Sequence, residues 1–243
     1  MIEFFIILTV LFFIAVLFYK QANEQFEILQ IEASRISELP TMYAERYPIV
    51  VSNFQPPVLG TEIELQKRPN ILQMTVNKNY TFKSLLENRN ALAAFTFPKE
   101  TATFLAKESG LSVWFQHHLF SLLTPFYTKW FYTHKTSLWP HHRGLFKTTA
   151  FQTVVMVTQG TARVSLMLGS VIPYLPNRWQ NRQFHSLTAQ DTPLINQVKY
   201  IEIKLRKGNL LVLPAHMIVD ITSEGSSAWN FMAEIHHPIS LLA

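Results

Sequence analysis

Residues 207–221, with the sequence KGNLLVLPAHMIVDI, decide the fold that we expect for this chain. A glycine lies near the start of the stretch, an aliphatic run too short for a helix follows, and Pro214 ends that run. Because proline cannot donate a hydrogen bond to a β ladder, the pattern predicts a buried strand followed by a corner. We interpret the stretch as the edge of a β-barrel at the point where the chain turns.

Composition limits the kind of protein further. The chain has 243 residues, of which 48% are hydrophobic and 13% aromatic, as is typical of a folded domain with a large core. The net charge of +5 is spread along the chain, with its densest basic stretch at residues 129–147, so we expect no nucleic-acid partner. The chain contains no cysteine, which excludes disulfides and thiolate chemistry.

The chain begins with an almost wholly apolar run over residues 4–19. At about 1.5 Å per residue, its length lies at the short end of what crosses a hydrocarbon core of about 30 Å. A cleaved signal peptide is disfavoured because no basic segment precedes the run and no small-residue cleavage site follows it. We predict a transmembrane anchor over residues 1–20 that contacts the lipid bilayer through residues 4–19, a single-pass membrane location and, from Lys20, a cytoplasmic body.

The remainder of the chain divides into two regions. Residues 21–39 repeat apolar positions at helical spacing and end before Pro40, which predicts a stalk helix. Residues 40–243 are predicted to form one domain, with a strand at residues 47–54, helices over residues 81–123 and, from about residue 150 onward, short strands at residues 151–158, 162–168, 199–205, 209–213 and 228–235. A turn is expected at Gln159-Gly160, and residues 174–193 are expected to form a long surface insertion. Helices followed by a run of strands indicate an α+β fold whose strands close into a barrel or sandwich.

The order of short motifs in this domain resembles the JmjC-like branch of the cupin superfamily. The family's opening strand is similar to residues 48–54 (PIVVSNF), its corner segment to residues 208–215 (GNLLVLPA), and its last barrel strand to residues 229–231 (WNF). The strand and turn after its first metal ligands are similar to residues 154–160 (VVMVTQG). The resemblance implies a double-stranded β-helix, or jelly roll, with helices packed outside.

Active members of that family bind Fe(II) and 2-oxoglutarate through two histidines and one carboxylate. The resemblance places the His-x-Asp/Glu pair at Lys147 and Thr149, and the distal histidine at Val219. No Asp or Glu occurs between Glu108 and Asp191, so a shift in register does not restore the pair. We therefore expect a barrel that has lost its metal site and holds no cofactor, which argues against an enzyme.

Our main interpretation is a membrane-anchored, non-catalytic cupin-like pseudoenzyme that acts as a binding or structural assembly module for a protein partner. Membrane-bound copies of this kind resemble components of virions or viral membranes. An aromatic-rich segment at residues 114–132 is expected to pack in the core, the alternative being an exposed patch for that partner.

Two alternatives stay open. The first is an Fe(II)- and 2-oxoglutarate-dependent oxygenase with an atypical set of ligands drawn from His141, His142, His216 and Asp220. The second is a metal-free receptor for a small acidic ligand, with Lys147, Thr149 and Arg163 as ligand-binding residues. Such a receptor must bury a basic side chain that has no protein partner, an arrangement that is costly unless an anion neutralises the charge.

Overall fold

The structure is a computed structural model that describes residues 2–20, 27–77, 80–95, 97–124, 126–238 and 240. Its helices are α1 (Ile2–Lys20), α2 (Leu39–Met42), α3 (Glu62–Gln66), α4 (Pro69–Leu72), α5 (Phe82–Glu87), α6 (Arg89–Ala94), α7 (Lys99–Glu108), α8 (Leu111–Phe115) and α9 (Ser121–Leu123). Its strands are β1 (Leu29–Glu32), β2 (Ile49–Ser52), β3 (Thr75–Asn77), β4 (Tyr80–Thr81), β5 (Thr133–Pro140), β6 (Arg143–Lys147), β7 (Gln152–Met167), β8 (Ile201–Arg206), β9 (Leu210–Pro214) and β10 (Ile218–His236). A π-helical turn, Gln116–Phe120, joins α8 to α9.

The main sheet is organised around a long ribbon of β7 and β10. The strand order is β1-β2-β9-β7-β10-β5, with β6 paired to β10 and β8 paired to β7. β7 and β10 run antiparallel from Gln152 opposite Ile235 to Met167 opposite Ile218. The register is irregular near Trp229, where Gly160 adopts a φ of 78° and an added Cβ would come within 2.9 Å of Ala228. This break divides the ribbon into two halves.

The two halves of the ribbon face each other across one apolar layer. Val155 and Met232 from one half pack in the same cluster as Val164 and Ile221 from the other half. β9 and β5 extend the first half, while β8 and β6 extend the second. The sheet therefore folds over into a sandwich, and we call this buried cluster the inner layer.

The outer face of the first half is covered by helices. Val154 alternates with Val155 along β7 and packs with Phe231 against Leu105 and Phe115 from α7 and α8. The first half of β7 is thus apolar on both faces, which explains the unbroken hydrophobic run in its sequence. Phe115 and Phe120 are buried in this cluster, so the core interpretation of the aromatic segment holds for them, whereas Trp130 is 81% exposed.

The outer face of the second half is covered by the segment between β7 and β8. Trp179, Phe184 and Leu187 from this segment pack on Met167 and Ile218. The sequence pattern predicted a long surface insertion at residues 174–193. In the structure much of its apolar content is buried, and the segment forms a covering layer over the sheet.

The corner predicted at residues 207–221 is confirmed. β9 ends at Pro214, and β10 begins at Ile218 after a tight turn in which His216 adopts a φ of 68°. Other predicted strands are found with small shifts in their ends, including β2 and β8. The strands expected over residues 151–158 and 162–168 form the single strand β7, because the Gly160 turn expected between them is instead a break within the ribbon.

The predicted amino-terminal organisation requires correction. Within the ranges that the structure describes, no helix is long and apolar enough to cross a membrane. This finding contradicts the predicted transmembrane anchor over residues 1–20, and with it the single-pass membrane location of the protein. The apolar run over residues 4–19 is shorter than the about 20 residues that a span requires, and Lys20 closes it.

The stalk helix predicted over residues 21–39 is also wrong in the part of this range that the structure describes. Residues 21–26 lie outside the described part of the chain. Leu29–Glu32 forms β1, which pairs in parallel with β2, and a 3-10 turn over Ala33–Glu38 follows it. The alternation in the sequence LQIE fits a strand, and pairing with the exposed edge of β2 outweighs the helical spacing of the longer segment.

Candidate functional site

A cavity of about 670 Å³ lies between α7, β5 and the start of β6. Its volume falls within the range of about 300–1,000 Å³ that is usual for small-molecule sites. Trp139 and Met232 contribute to its wall and also belong to the inner layer, so the cavity lies at the open edge of the sandwich. The register of β5 and β10 places Lys135 opposite Glu234 and Ser137 opposite Met232, and all four residues line the cavity.

Arg143 is the most unusual residue in the cavity wall. Its guanidinium carbon lies 4.3 Å from the centroid of the Phe146 ring and 5.4 Å from that of Trp139. Nη1 donates a hydrogen bond to Sδ of Met232 at 3.2 Å, and a thioether sulfur is a weak acceptor. No carboxylate of the described residues forms an ion pair with this guanidinium. Burial lowers the pKa of Arg143, and the charge of Glu234 raises it.

The rest of the wall adds positive charge. Lys99 and Lys107 from α7 and Lys135 from β5 line the same cavity, and none of the three forms an ion pair with a described residue. Glu234 is the single carboxylate among the described lining residues. The cavity therefore combines an apolar surface with a clear excess of positive charge, a combination that attracts anions.

The residues predicted to bind an acidic ligand lie elsewhere. Lys147 and Thr149 are exposed, and Lys147 pairs with Ile218 at the far end of β6 from Arg143. Arg163 is exposed on the outer face of β7 and forms ion pairs with Glu202 at 3.4 Å and Glu224 at 3.0 Å. None of these three residues lines the cavity. Their proposed role in ligand binding therefore stays a prediction, and this cavity does not include them.

The alternative metal ligands are also spread apart. His141 is buried in the turn between β5 and β6, His216 lies in the corner after β9, and His142 is the one member of the set that lines the cavity. Asp220 is 1% exposed and points towards the covering segment, where Oδ2 accepts the Phe184 N–H at 3.0 Å. Burial raises the pKa of Asp220 to about 6.

The residues present do not fit an iron centre of the kind that the resemblance implies. Val219, at the expected distal position, is fully buried in the inner layer opposite Phe146, and its isopropyl group cannot coordinate a metal. Across the described ranges, no group of three or more His, Asp or Glu side chains is arranged to hold a metal ion.

Sequence reasoning missed Arg143, Lys99 and Lys135 as a set. A signal existed for two of them, because the densest basic stretch of the chain, residues 129–147, contains Lys135 and Arg143. Lys99 lies far away in the sequence and reaches the cavity only because α7 packs against β5. The three residues are thus brought together by the packing of α7 against β5, which no local sequence pattern predicts.

No protein-family model matches the chain, and no curated protein matches it. The resemblance of residues 48–54 and 208–215 to the cupin superfamily therefore stays a prediction. The function is argued below from the geometry of the cavity.

Proposed function

We propose that this protein binds a small anionic ligand in the cavity beside Arg143, without the help of a metal ion. One observation carries the proposal: a partly buried guanidinium that contacts two aromatic rings and a thioether but no described carboxylate. Removing a guanidinium from water without a counter-charge costs free energy, and an anion bound beside it offsets that cost. A carboxylate or phosphate group suits the fork of guanidinium donors.

The remainder of the cavity supports the same function. Lys99, Lys107 and Lys135 supply a positive field, which raises the rate at which anions encounter the site. Trp139 and Met232 supply an apolar wall for the carbon skeleton of a ligand. This is the receptor hypothesis drawn from the sequence, with Arg143 in the place that was assigned to Lys147, Thr149 and Arg163.

The test is isothermal titration calorimetry of the full chain with citrate, 2-oxoglutarate and inorganic phosphate as probes. The variants are Arg143→Met and, as a matched control, Arg163→Met. We expect at least one probe to bind the wild-type protein and the control equally. Arg143→Met should weaken that binding by 30-fold or more, because truncating a buried charged contact costs about 2–5 kcal/mol.

Two results would contradict the proposal. One is the failure of every probe to bind the wild-type chain, and the other is equal binding by Arg143→Met and the wild-type protein. A further titration with 2-oxoglutarate in the presence and absence of Mn(II) separates the oxygenase hypothesis. Binding that depends on the metal would favour an oxygenase and count against a metal-free receptor.

A further inference from the structure

The covering segment, residues 168–200, is attached to the sheet in a way that allows it to open as a unit. Its two ends lie side by side, because Leu166 near the end of β7 pairs with Ile201 at the start of β8. Opening therefore requires no change in either strand. The apolar side chains of the segment pack in a cluster that shares no buried residue with the inner layer or with the cluster under the helices. Cooperative units of this kind open at a lower free energy than the whole domain.

Asp220 of β10 is the polar side chain of the sheet that holds this segment. It is 1% exposed, and Oδ2 accepts the Phe184 N–H at 3.0 Å. The Thr222 hydroxyl donates to the same oxygen at 3.4 Å, whereas Oδ1 is buried without a hydrogen-bond partner among the described residues. No described cation forms an ion pair with this carboxyl group. The closed segment therefore seals a carboxyl group without a counter-charge, which disfavours its ionised form.

The charged groups around Asp220 are engaged with one another. Ser165 lies opposite Asp220 on β7, and Glu202 lies opposite Ser165 on β8. His185 of the covering segment brings Nε2 within 3.2 Å of Glu202 Oε2 and 3.4 Å of Ser165 Oγ. The next positions on this face carry charges that form ion pairs among themselves or with Glu202, namely Arg163, Lys204 and Glu224. Of the described titratable groups, His185 is thus the one that acts on the carboxyl of Asp220.

The covering segment also forms part of the cavity wall. Asn181 lines the cavity beside Gly144, and a Cβ added to Gly144 would collide with the Asn181 carbonyl. The Asn181 N–H donates to the Leu145 carbonyl at 2.9 Å, and the Leu145 N–H donates to the Arg182 carbonyl at 2.7 Å. Gly144 and Leu145 directly follow Arg143 in β6. Opening of the segment therefore removes the wall next to Arg143.

We propose that the covering segment is a proton-linked flap on the anion site. It closes on the sheet while Asp220 carries a proton, and it opens more readily once that carboxyl is ionised, because the ionised group regains water only in the open form. As a means of regulating the cavity, this inference rests on the proposed function, although the opening itself requires no ligand.

The direction of the pH dependence follows from the two environments of Asp220. In the closed form, burial raises its pKa from 3.8 to about 6, although the Phe184 N–H, His185 and Thr222 act in the opposite direction. Exposure to water in the open form returns the pKa to its ordinary range. The closed form is therefore favoured in full below about pH 4, and this advantage is lost as the pH rises through about 6. Between pH 5 and pH 7.5 the opening equilibrium should shift towards the open form by about tenfold.

Amide hydrogen exchange of the full chain, followed by mass spectrometry of its peptides, measures this opening. The wild-type protein and Asp220→Asn are compared at pH 5 and pH 7.5, and each rate is corrected for the intrinsic exchange rate at that pH. Asparagine is a neutral substitute for the protonated carboxyl. Asp191→Asn is the matched control, because Asp191 also lies in the segment but hydrogen bonds from Thr188 and Arg182 lower its pKa.

We expect peptides from residues 168–200 to open at a lower free energy than peptides from β9, which pairs with β2 and β7. From pH 5 to pH 7.5 their protection should fall about tenfold in the wild-type protein and in Asp191→Asn, and it should stay constant in Asp220→Asn. The flap is overturned if the segment and β9 share one free energy of opening, because the segment would then open only when the chain unfolds. Equal changes in the wild-type protein and Asp220→Asn overturn it as well.

An anion that binds in the calorimetric experiment tests the link to the cavity. At ten times its Kd it should raise the protection of the segment at pH 7.5 by up to about tenfold, because a ligand that binds the closed form opposes opening. Unchanged protection with the anion bound would contradict regulation by the flap but leave binding at Arg143 intact. Failure of every anion to bind would overturn both the proposed function and the regulation of that site, whereas the opening of the segment is decided by the pH experiment alone.

Discussion

Arg143 and Arg163 are the same residue type in two regions of one sandwich, but they differ in burial and in ion-pair partners. Arg163 is exposed on the outer face of β7, where Glu202 and Glu224 neutralise it and raise its pKa, chiefly through the hydrogen bond with Glu224. Arg143 is partly buried at the cavity, where it contacts rings and a sulfur atom. A basic residue points to a ligand when no carboxylate of the described residues forms an ion pair with it, and its residue type alone says little.

The largest expected effect concerns Asp220, an acidic residue that is buried in the fold. Its pKa is raised from the ordinary value of 3.8 to about 6 by burial, although the Phe184 N–H, His185 and Thr222 act in the opposite direction. Between these two values the unfolded chain is ionised while the folded chain keeps its proton. Stability contributed by this group is therefore full below about pH 4 and is lost as the pH rises through about 6, by about 3 kcal/mol in total.

Urea unfolding of the wild-type protein and of Asp220→Asn from pH 4 to pH 7 measures this loss. We expect the free energy of unfolding of the wild-type protein to fall relative to that of Asp220→Asn across this range. Asp191→Asn is the control, because Asp191 is paired with Arg182 and its pKa is lowered, so its titration lies below the range. Parallel pH profiles for the wild-type protein and Asp220→Asn would show that burial does not raise this pKa.

The second prediction concerns the guanidinium of Arg143, which forms no ion pair with a described residue. In the absence of ligand, Arg143→Met should be more stable than the wild-type protein by roughly 1–2 kcal/mol, because an apolar side chain avoids the cost of burying the guanidinium. The lost contacts with Trp139 and Phe146 offset part of this gain. Urea unfolding in a buffer that contains no carboxylate or phosphate is the measurement. A lower stability of the variant would show that Arg143 is compensated within the fold, and the contrast with Arg163 would disappear.

The third prediction concerns the only acid among the described lining residues. Glu234→Gln should strengthen anion binding several-fold, since repulsion from a like charge about 4 Å away amounts to about 1 kcal/mol even at the dielectric of bulk water. Calorimetry with the tightest-binding probe measures the change, and Glu202→Gln, outside the cavity, is the control. Equal affinities for Glu234→Gln and the wild-type protein would place the bound anion away from this residue.

The smallest expected effect lies at Arg163. Arg163→Met should leave anion affinity and the urea midpoint unchanged within experimental error, because exposed ion pairs contribute little to stability. The same unfolding and binding measurements serve for this variant. A clear loss of ligand affinity would indicate that the anion binds near Arg163 on the outer face of β7. It would contradict the conclusion that Arg143, and not Arg163, contacts the ligand.

The parts of the fold that the sequence predicted are those encoded by short local patterns. The aliphatic run that ends at Pro214 locates β9 and the corner, and the runs of β2 and β8 are found in the same way. β1 was misassigned because its four residues are a strand only through their parallel pairing with β2. Gly160 has the φ of a turn residue, yet the chain continues through it as one ribbon.

The candidate site was less predictable than the fold for a physical reason. Whether Arg143 has a counter-charge depends on which acids the fold brings near it, and those acids lie far away in the sequence. The approach of α7 that adds Lys99 depends in the same way on tertiary packing. Residue pattern predicts what an element is, but it does not predict which charges remain uncompensated after the elements have packed.

The β7–β10 ribbon also has a consequence for how the site comes into being during folding. Residues 168–217 lie between its two strands, so even the nearest pair, Met167 and Ile218, can meet only after a long loop closes. Contacts of this range make folding slow compared with that of a protein built from hairpins. Because the walls of the cavity come from both α7 and β10, an incomplete chain cannot present the site. A ligand would therefore bind the completely folded chain and stabilise it by RT ln(1 + L/Kd), where L is the free ligand concentration, an amount that continues to rise after the site is filled.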